Sequence, residues 1–333
     1  MPQRALIVGE GIAGLGAAIV LARAGWQVAA AAPRYGKPAS HRQHAHLSSP
    51  AVMAQLEASL GTTPGGWAMG RAAVWDAAGR RDESERPILC AEALRRSLAA
   101  HAARSGVRWH ANLAVTPSTD AAGWHWRAGA LSGTVDVLVD ATGSGHWLGR
   151  MAGIAVTIEE LAGRDRCWSW SGLNDGPHQP WLIAARGTAR SAVLLRAADG
   201  TLRLTLRQPG TNTPDPVAAL DGLLIGAGAC WGGRIGTIAL EARALRHDSP
   251  LARRTQVSAS TPLPPLIRLG DGLIQTAPRL GQGIAQIAEQ LDALADALAA
   301  GLPPTEWHCR LDRLAQQRWA GLMLGAGLGR IAA

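Results

Sequence analysis

Three glycines in the pattern Gly9-x-Gly11-x-x-Gly14 follow the apolar run Ala5-Leu6-Ile7-Val8 and precede the apolar stretch from Leu15 to Ala24. A strand, a glycine-rich turn and a helix in that order open a dinucleotide-binding βαβ unit. The chemistry of such a turn is anion binding. Gly9 permits the tight turn out of the strand, and Gly11, with Ile12 and Ala13 beside it, leaves room for a pyrophosphate against the backbone. Gly14 allows helix and strand to pack closely. The unpaired N–H groups and the dipole of the helix N-terminus then face the phosphates.

The first helix is expected to end at Gly25, followed by a second apolar strand from Val28 to Ala32. At the end of that strand an acidic side chain normally accepts hydrogen bonds from ribose hydroxyls, whereas this chain carries Ala32-Pro33-Arg34. Arg34 suits a ribose held by a cation or a ribose phosphate, so this motif alone leaves flavin and nicotinamide dinucleotides both open.

A second cluster lies near residue 270. Pro265-Leu266-Ile267-Arg268-Leu269 reads as a short strand, followed by Gly270-Asp271 and then Thr276-Ala277-Pro278-Arg279-Leu280-Gly281-Gln282-Gly283-Ile284. The helix expected from about Ala285 to Ala300 has Ile284, Ile287, Leu291, Leu294 and Leu298 three or four residues apart, which gives it one core-facing side. A third segment, Val135 to Val139 and then Asp140-Ala141-Thr142-Gly143, combines a strand with another glycine turn.

Gly270-Asp271 followed by Pro278-x-x-Gly281-Gln282-Gly283 resembles the second flavin motif of FAD-dependent aromatic hydroxylases, the single-component flavoprotein monooxygenases. The Asp140-Ala141-Thr142-Gly143 turn resembles the one that precedes their substrate domain. The resemblance spans about 1–160 and 260–300. It implies that Asp271 binds the ribityl chain, that Pro278 to Ile284 aim a helix N-terminus at the isoalloxazine ring, and that Gly143 lets backbone approach the cofactor. It also places Arg42 near the cofactor, and a cofactor-side helix over Ile88 to Val107 that carries Cys90 where relatives have an arginine or glutamine. The implied reaction is monooxygenation through a flavin C4a-hydroperoxide, with NAD(P)H as a transient electron donor. The cofactor carries that chemistry, which explains why no side-chain triad or carboxylate pair stands out.

Between about 160 and 260 the periodicity changes to short strands around Cys167, Trp181, Ala192 and Thr201, the pattern of an antiparallel sheet with one covered face. Trp168 and Trp170 share a face there, as core filling or as the wall of an aromatic pocket. Gly226 to Gly233 reads as a hairpin, which leaves no separate nicotinamide domain. His44 and His46 have strand-like spacing and stand as pocket candidates; no third ligand joins them, so no metal is expected.

The fold class expected is α/β: a doubly wound Rossmann-like FAD-binding domain formed by 1–160 and 260–300, with an inserted, mainly antiparallel β-sheet substrate domain at 161–259. A C-terminal helix around Trp307 to Leu324 and a glycine-rich tail make up 301–333. At 333 residues the chain can bury a large core. Its net charge of +8 is dispersed, with no arginine-rich block, so nucleic-acid binding is not expected. No apolar run approaches the roughly 18 residues of a membrane helix. Cys90, Cys167, Cys230 and Cys309 are too scattered for a metal knuckle or a redox pair and read as core residues in a cytoplasmic protein. The expected substrate is a small aromatic or other electron-rich molecule. The alternatives are a reductase or dehydrogenase of the same fold acting on a polyprenyl or other apolar substrate, and a weakly flavin-binding accessory or maturation protein acting on a partner protein.

Overall fold

Near-continuous apolar runs are what strands need when both faces of a parallel sheet are covered, and here they form the spine. In the computed structural model, five parallel strands lie in the order Leu266–Arg268, Val137–Asp140, Arg4–Val8, Gln27–Ala32, Arg108–Ala111. The structure describes residues 2–32, 45–75, 81–111, 115–120, 123–145, 147–160, 165–175, 180–186, 191–196, 200–207, 214–221, 238–241, 245–249, 252–256, 265–276 and 282–331.

The helices are α1 (Ile12–Arg23), α2 (Pro50–Leu60), α3 (Ala91–Arg104), α4 (Trp147–Met151), α5 (Gly283–Ala299) and α6 (Pro304–Ile331). Leu15 and Ile19 of α1, Leu56 of α2, Leu98 of α3, Leu291 of α5 and Trp307 of α6 share one core against the parallel sheet. The opposite face is closed by a three-stranded antiparallel meander, Thr116–Asp120, Gly123–Ala128 and Leu131–Val135, together with α4. Trp124 of the meander packs with Leu6, Val8 and Leu138, and its indole N–H donates to the Pro265 carbonyl at 3.0 Å.

A second sheet of nine strands follows the order Ile238–Leu240, Asp165–Asn174, Thr201–Arg207, Ser191–Arg196, Trp181–Arg186, Trp67–Trp75, Arg81–Cys90, Ala45–Leu47, with Leu245–Ser249 also paired to Asp165–Asn174. It is antiparallel except where Trp67–Trp75 runs parallel to Trp181–Arg186. The sheet therefore reaches beyond 161–259 and takes in a long hairpin from the first 160 residues. That hairpin was hidden because its second strand opens with Arg81-Asp82-Glu83-Ser84-Glu85-Arg86, a polar run whose charges pair locally, as Arg71 does with Glu83 at 3.1 Å. Only the inner end of that second strand, Pro87 to Cys90, is buried.

Three further expectations are corrected. Ile88 to Cys90 are strand, and the helix begins at Ala91, because those three residues pair with Ala45–Leu47 before the chain turns. Val135 to Val139 do not form one strand: Val135 ends the meander and Val137 enters the parallel sheet. Between them the Asp136 carboxylate accepts the Arg4 N–H at 2.7 Å. Helix α6 runs to Ile331 through the glycines expected as a tail, and Cys309 on it is exposed, since it points away from the stripe of Trp307, Leu311 and Ala315. Cys90 and Cys167 are buried. No described helix is long and apolar enough to cross a membrane.

Candidate functional site

Three turns leave the carboxyl ends of neighbouring strands in the parallel sheet and stack on one another. The Gly9 N–H donates to the Ala31 carbonyl at 2.9 Å, and Gly9 has φ +128°, which side-chain-bearing residues rarely adopt. A Cβ on Gly9 would lie 2.1 Å from the Ala141 carbonyl oxygen, and one on Gly14 would lie 2.1 Å from the Gly9 oxygen. A Cβ on Gly272 would come 3.5 Å from the Gly143 oxygen, and one on Gly270 3.1 Å from the Ala13 Cβ. These glycines form the seams between the turns.

Gly11 and Gly143 behave differently. No heavy atom comes within 4 Å of the place a Cβ would occupy on either. Such open glycines suit the approach of a ligand to backbone. Gly11 is also the N-cap of α1, a helix with no side-chain cap and no acid in its first turn, so its leading N–H groups are left for an anion. Ile12 is half-buried and Ala13 buried.

Helix α5 begins in the same way. Gln282 is its N-cap, without a side-chain cap, and Gly283 and Ile284 open a first turn free of acids. It packs on α1 so closely that a Cβ on Gly16 would fall 2.4 Å from a Leu291 methyl. Asp271, partly exposed, sits in the 3₁₀ turn Gly270–Gly272. Two glutamines of α5 hold that turn: Gln290 Oε1 accepts the Gly270 N–H at 2.6 Å, and Gln286 Nε2 donates to the Ile274 carbonyl at 2.8 Å. The donor set of two uncapped helix starts, two open glycines and one accessible carboxylate fits a pyrophosphate joined to a polyol. FAD contains both.

The Asp140–Gly143 turn, quoted above for its resemblance, owes its shape to side-chain bonds that sequence reasoning did not assign. The fully buried Asp140 carboxylate accepts from the Thr142 N–H at 3.0 Å, the Thr142 hydroxyl at 2.6 Å and the Gly149 N–H at 3.0 Å. The Thr142 oxygen in turn accepts the Trp147 N–H at 3.1 Å, at the start of α4. Asp followed two residues on by Thr at the end of an apolar strand was the available signal. Arg95 of α3 was also missed. It makes a paired contact with Glu92 at 2.8 and 2.9 Å and lies 3.7 Å from Glu10 in the first glycine turn. Donating these hydrogen bonds to the Glu92 carboxylate raises the Arg95 pKa further, against the lowering effect of burial. A cation thus stands beside the turn although Cys90, the buried N-cap of α3, offers none.

Gly9, Gly11, Ile12, Ala13, Gly14, Gly143, Asp271, Gln282, Gly283 and Ile284 all lie on these turns and helix starts. Arg34, Arg42, His44, Pro278 and Gly281 lie outside the described residues, as does the Gly226–Gly233 hairpin; for His46 only the backbone, in the strand Ala45–Leu47, is described. Trp168 and Trp170 are 5 % and 1 % exposed and pack with Trp181, Ile183, Leu204 and Leu206. They fill the core of the nine-stranded sheet, the volume phenylalanine would otherwise occupy in a chain that has none.

No protein-family model matches the chain, and no curated protein matches it. Solved structures do. A 2-methyl-3-hydroxypyridine-5-carboxylic acid oxygenase superposes with a TM-score of 0.70 at 16 % identity, over 97 % of this chain and 93 % of its own. CtdE, solved in complex with FAD, gives 0.65 at 16 % identity over 100 % and 93 %. QhpG, a peptidyl tryptophan dihydroxylase essential for tryptophylquinone cofactor biogenesis, gives 0.61 at 18 % over 95 % and 73 %. Taken with the three stacked turns, these likenesses show that the chain has the Rossmann-type α/β fold of those structures, one of which is an FAD complex.

Proposed function

We propose that this protein is an FAD-dependent monooxygenase that hydroxylates an aromatic or other electron-rich small molecule. The observation that carries the reading is the meeting of three glycine turns at the carboxyl edge of the parallel sheet, with Gly11 and Gly143 open to a ligand. Its support comes from neighbours of the same fold that are an oxygenase, a dihydroxylase and an FAD complex.

Bound FAD supplies the redox chemistry, activating oxygen once reduced, with NAD(P)H as the transient donor. The chain's own residues bind and orient. The N-terminus of α1 and the backbone at Gly11 to Ala13 hold the pyrophosphate, and Arg95 offsets the charge of Glu10 beside it. Asp271 accepts from ribityl hydroxyls, and the N-terminus of α5 favours negative charge on the pyrimidine edge of the ring. The nine-stranded sheet is the substrate-side wall. A second reading, oxidation of a side chain on a partner protein, is favoured by the likeness to the peptidyl tryptophan dihydroxylase.

The test is the visible spectrum of the purified protein with FAD, then oxygen uptake driven by NAD(P)H. Bands at roughly 370 and 450 nm and uptake stimulated by an aromatic substrate are expected. A protein that stays colourless with excess FAD refutes the proposal, and reduction of an apolar substrate without oxygen uptake replaces it with a reductase.

A further inference from the structure

Helix α5 places Gln282, Gln286 and Gln290 four residues apart, on one side of the helix. Gln286 and Gln290 are 1 % and 2 % exposed, and burying an amide is unfavourable unless its polar ends are bonded. Gln290 is explained by the Gly270 N–H that it accepts. Gln286 is not explained by packing. Its Nε2 donates to the Ile274 carbonyl at 2.8 Å and stands 3.5 Å from Oδ1 of Asp271, while its buried Oε1 has no hydrogen-bond partner among the described residues. Leucine would fill this position without leaving an acceptor unsatisfied. The reverse amide orientation would set Oε1 against two acceptors, so the donor face is fixed toward Ile274 and Asp271.

We infer that Gln286 is a positioning residue for the polyol of the cofactor: its Nε2 orients the Asp271 carboxylate and favours its charged form, so that Asp271 accepts from ribityl hydroxyls. This rests on the flavin reading above and adds to it a residue that neither glycine motif contains. The contact is long, at 3.5 Å, and a ribityl hydroxyl bound by Asp271 would place the carboxylate between two donors. Among the described residues, the other ionisable groups nearby are engaged with partners of their own: Asp140 with Thr142 and Gly149, Arg268 with Asp312, Glu289 with Arg318. A change in pH dependence on altering Gln286 therefore reports on Asp271.

The experiment titrates the flavin-stripped full chain with FAD, following quenching of flavin fluorescence from acid to neutral pH. Gln286→Leu is expected to weaken FAD about tenfold, the loss of one hydrogen bond to a charged group. In the Asp271→Ala background the same change is expected to have no further effect, because the residue it positions is gone. Gln286→Glu keeps the shape, places two carboxyls side by side and raises the pKa of one of them. Its FAD affinity is then low at neutral pH and rises as a shared proton restores the donor, while that of the unaltered chain falls as Asp271 protonates. If Gln286→Leu does not fold, the slope of Gln286→Glu decides. Variants that bind FAD like the unaltered chain, or a Gln286→Leu effect that adds in full to Asp271→Ala, overturn the inference alone. An unaltered chain that ignores FAD overturns the flavin reading and this inference with it.

Discussion

Gly11 and Gly14 belong to one fingerprint, yet the structure assigns them separate tasks that substitution by alanine will resolve. A Cβ on Gly14 meets the Gly9 carbonyl oxygen at 2.1 Å, and a backbone atom cannot swing aside as a side chain does. Overpacking of this kind costs about 3 kcal/mol, against about 1 kcal/mol that alanine gains over glycine inside a helix, leaving a net loss of about 2 kcal/mol. For a chain of this length that lowers the melting temperature by roughly 3 °C. Gly11→Ala meets nothing within 4 Å and keeps an accessible φ of −73°, so its cost is confined to a poorer N-cap, about 1 kcal/mol or less. Its effect falls on the ligand. At an FAD concentration of about 100 Kd the unaltered chain gains about 2.7 kcal/mol, whereas a Kd raised a hundredfold leaves about 0.4 kcal/mol. Thermal melts with and without FAD check both halves: Gly14→Ala melts low in either condition, and Gly11→Ala melts near the unaltered chain without FAD but loses the FAD-induced rise. A Gly14→Ala protein at or above the unaltered melting temperature refutes the packing argument. An undiminished FAD shift in Gly11→Ala refutes the placement of the pyrophosphate.

Asp271→Ala lowers flavin occupancy per folded molecule more than Trp168→Ala does, because the first removes a cofactor contact and the second a core side chain; equal losses, measured as the ratio of flavin to protein absorbance in the folded fraction, count against this assignment. Trp168→Ala instead shows its effect in urea unfolding, at about 3–5 kcal/mol. Asp312→Ala removes the carboxylate paired at 3.2 Å with the buried Arg268 guanidinium, 1 % exposed, and costs about 3 kcal/mol in the same assay. Adding Arg268→Met to it recovers most of that loss; a double variant less stable than Asp312→Ala shows that the charge was not the cause.

What the sequence determined about this protein is local. Gly9, Gly11 and Gly14, the strands Arg4–Val8 and Gln27–Ala32 and the amphipathic stripe of α5 all announce themselves through spacing, because turn geometry and helix periodicity act over a few residues, whereas Asp271 stood out only by resemblance to a flavin motif. Tertiary structure decided how these pieces meet. The stacking of Gly9 on Ala141 and of Gly272 on Gly143 joins turns more than 100 residues apart, and no periodicity within any one turn encodes that register. The same holds for the hairpin of Trp67–Trp75 and Arg81–Cys90: its charged outer half looks like a solvated loop until Trp181–Arg186 pairs with Arg71–Trp75, while Ala45–Leu47 pairs with its buried inner end. Gln286 and Gln290 were unreadable for a related reason. A polar side chain on a core-facing position acquires its meaning only from the partner opposite, and for Gln290 that partner, the Gly270 N–H, comes from another strand end altogether.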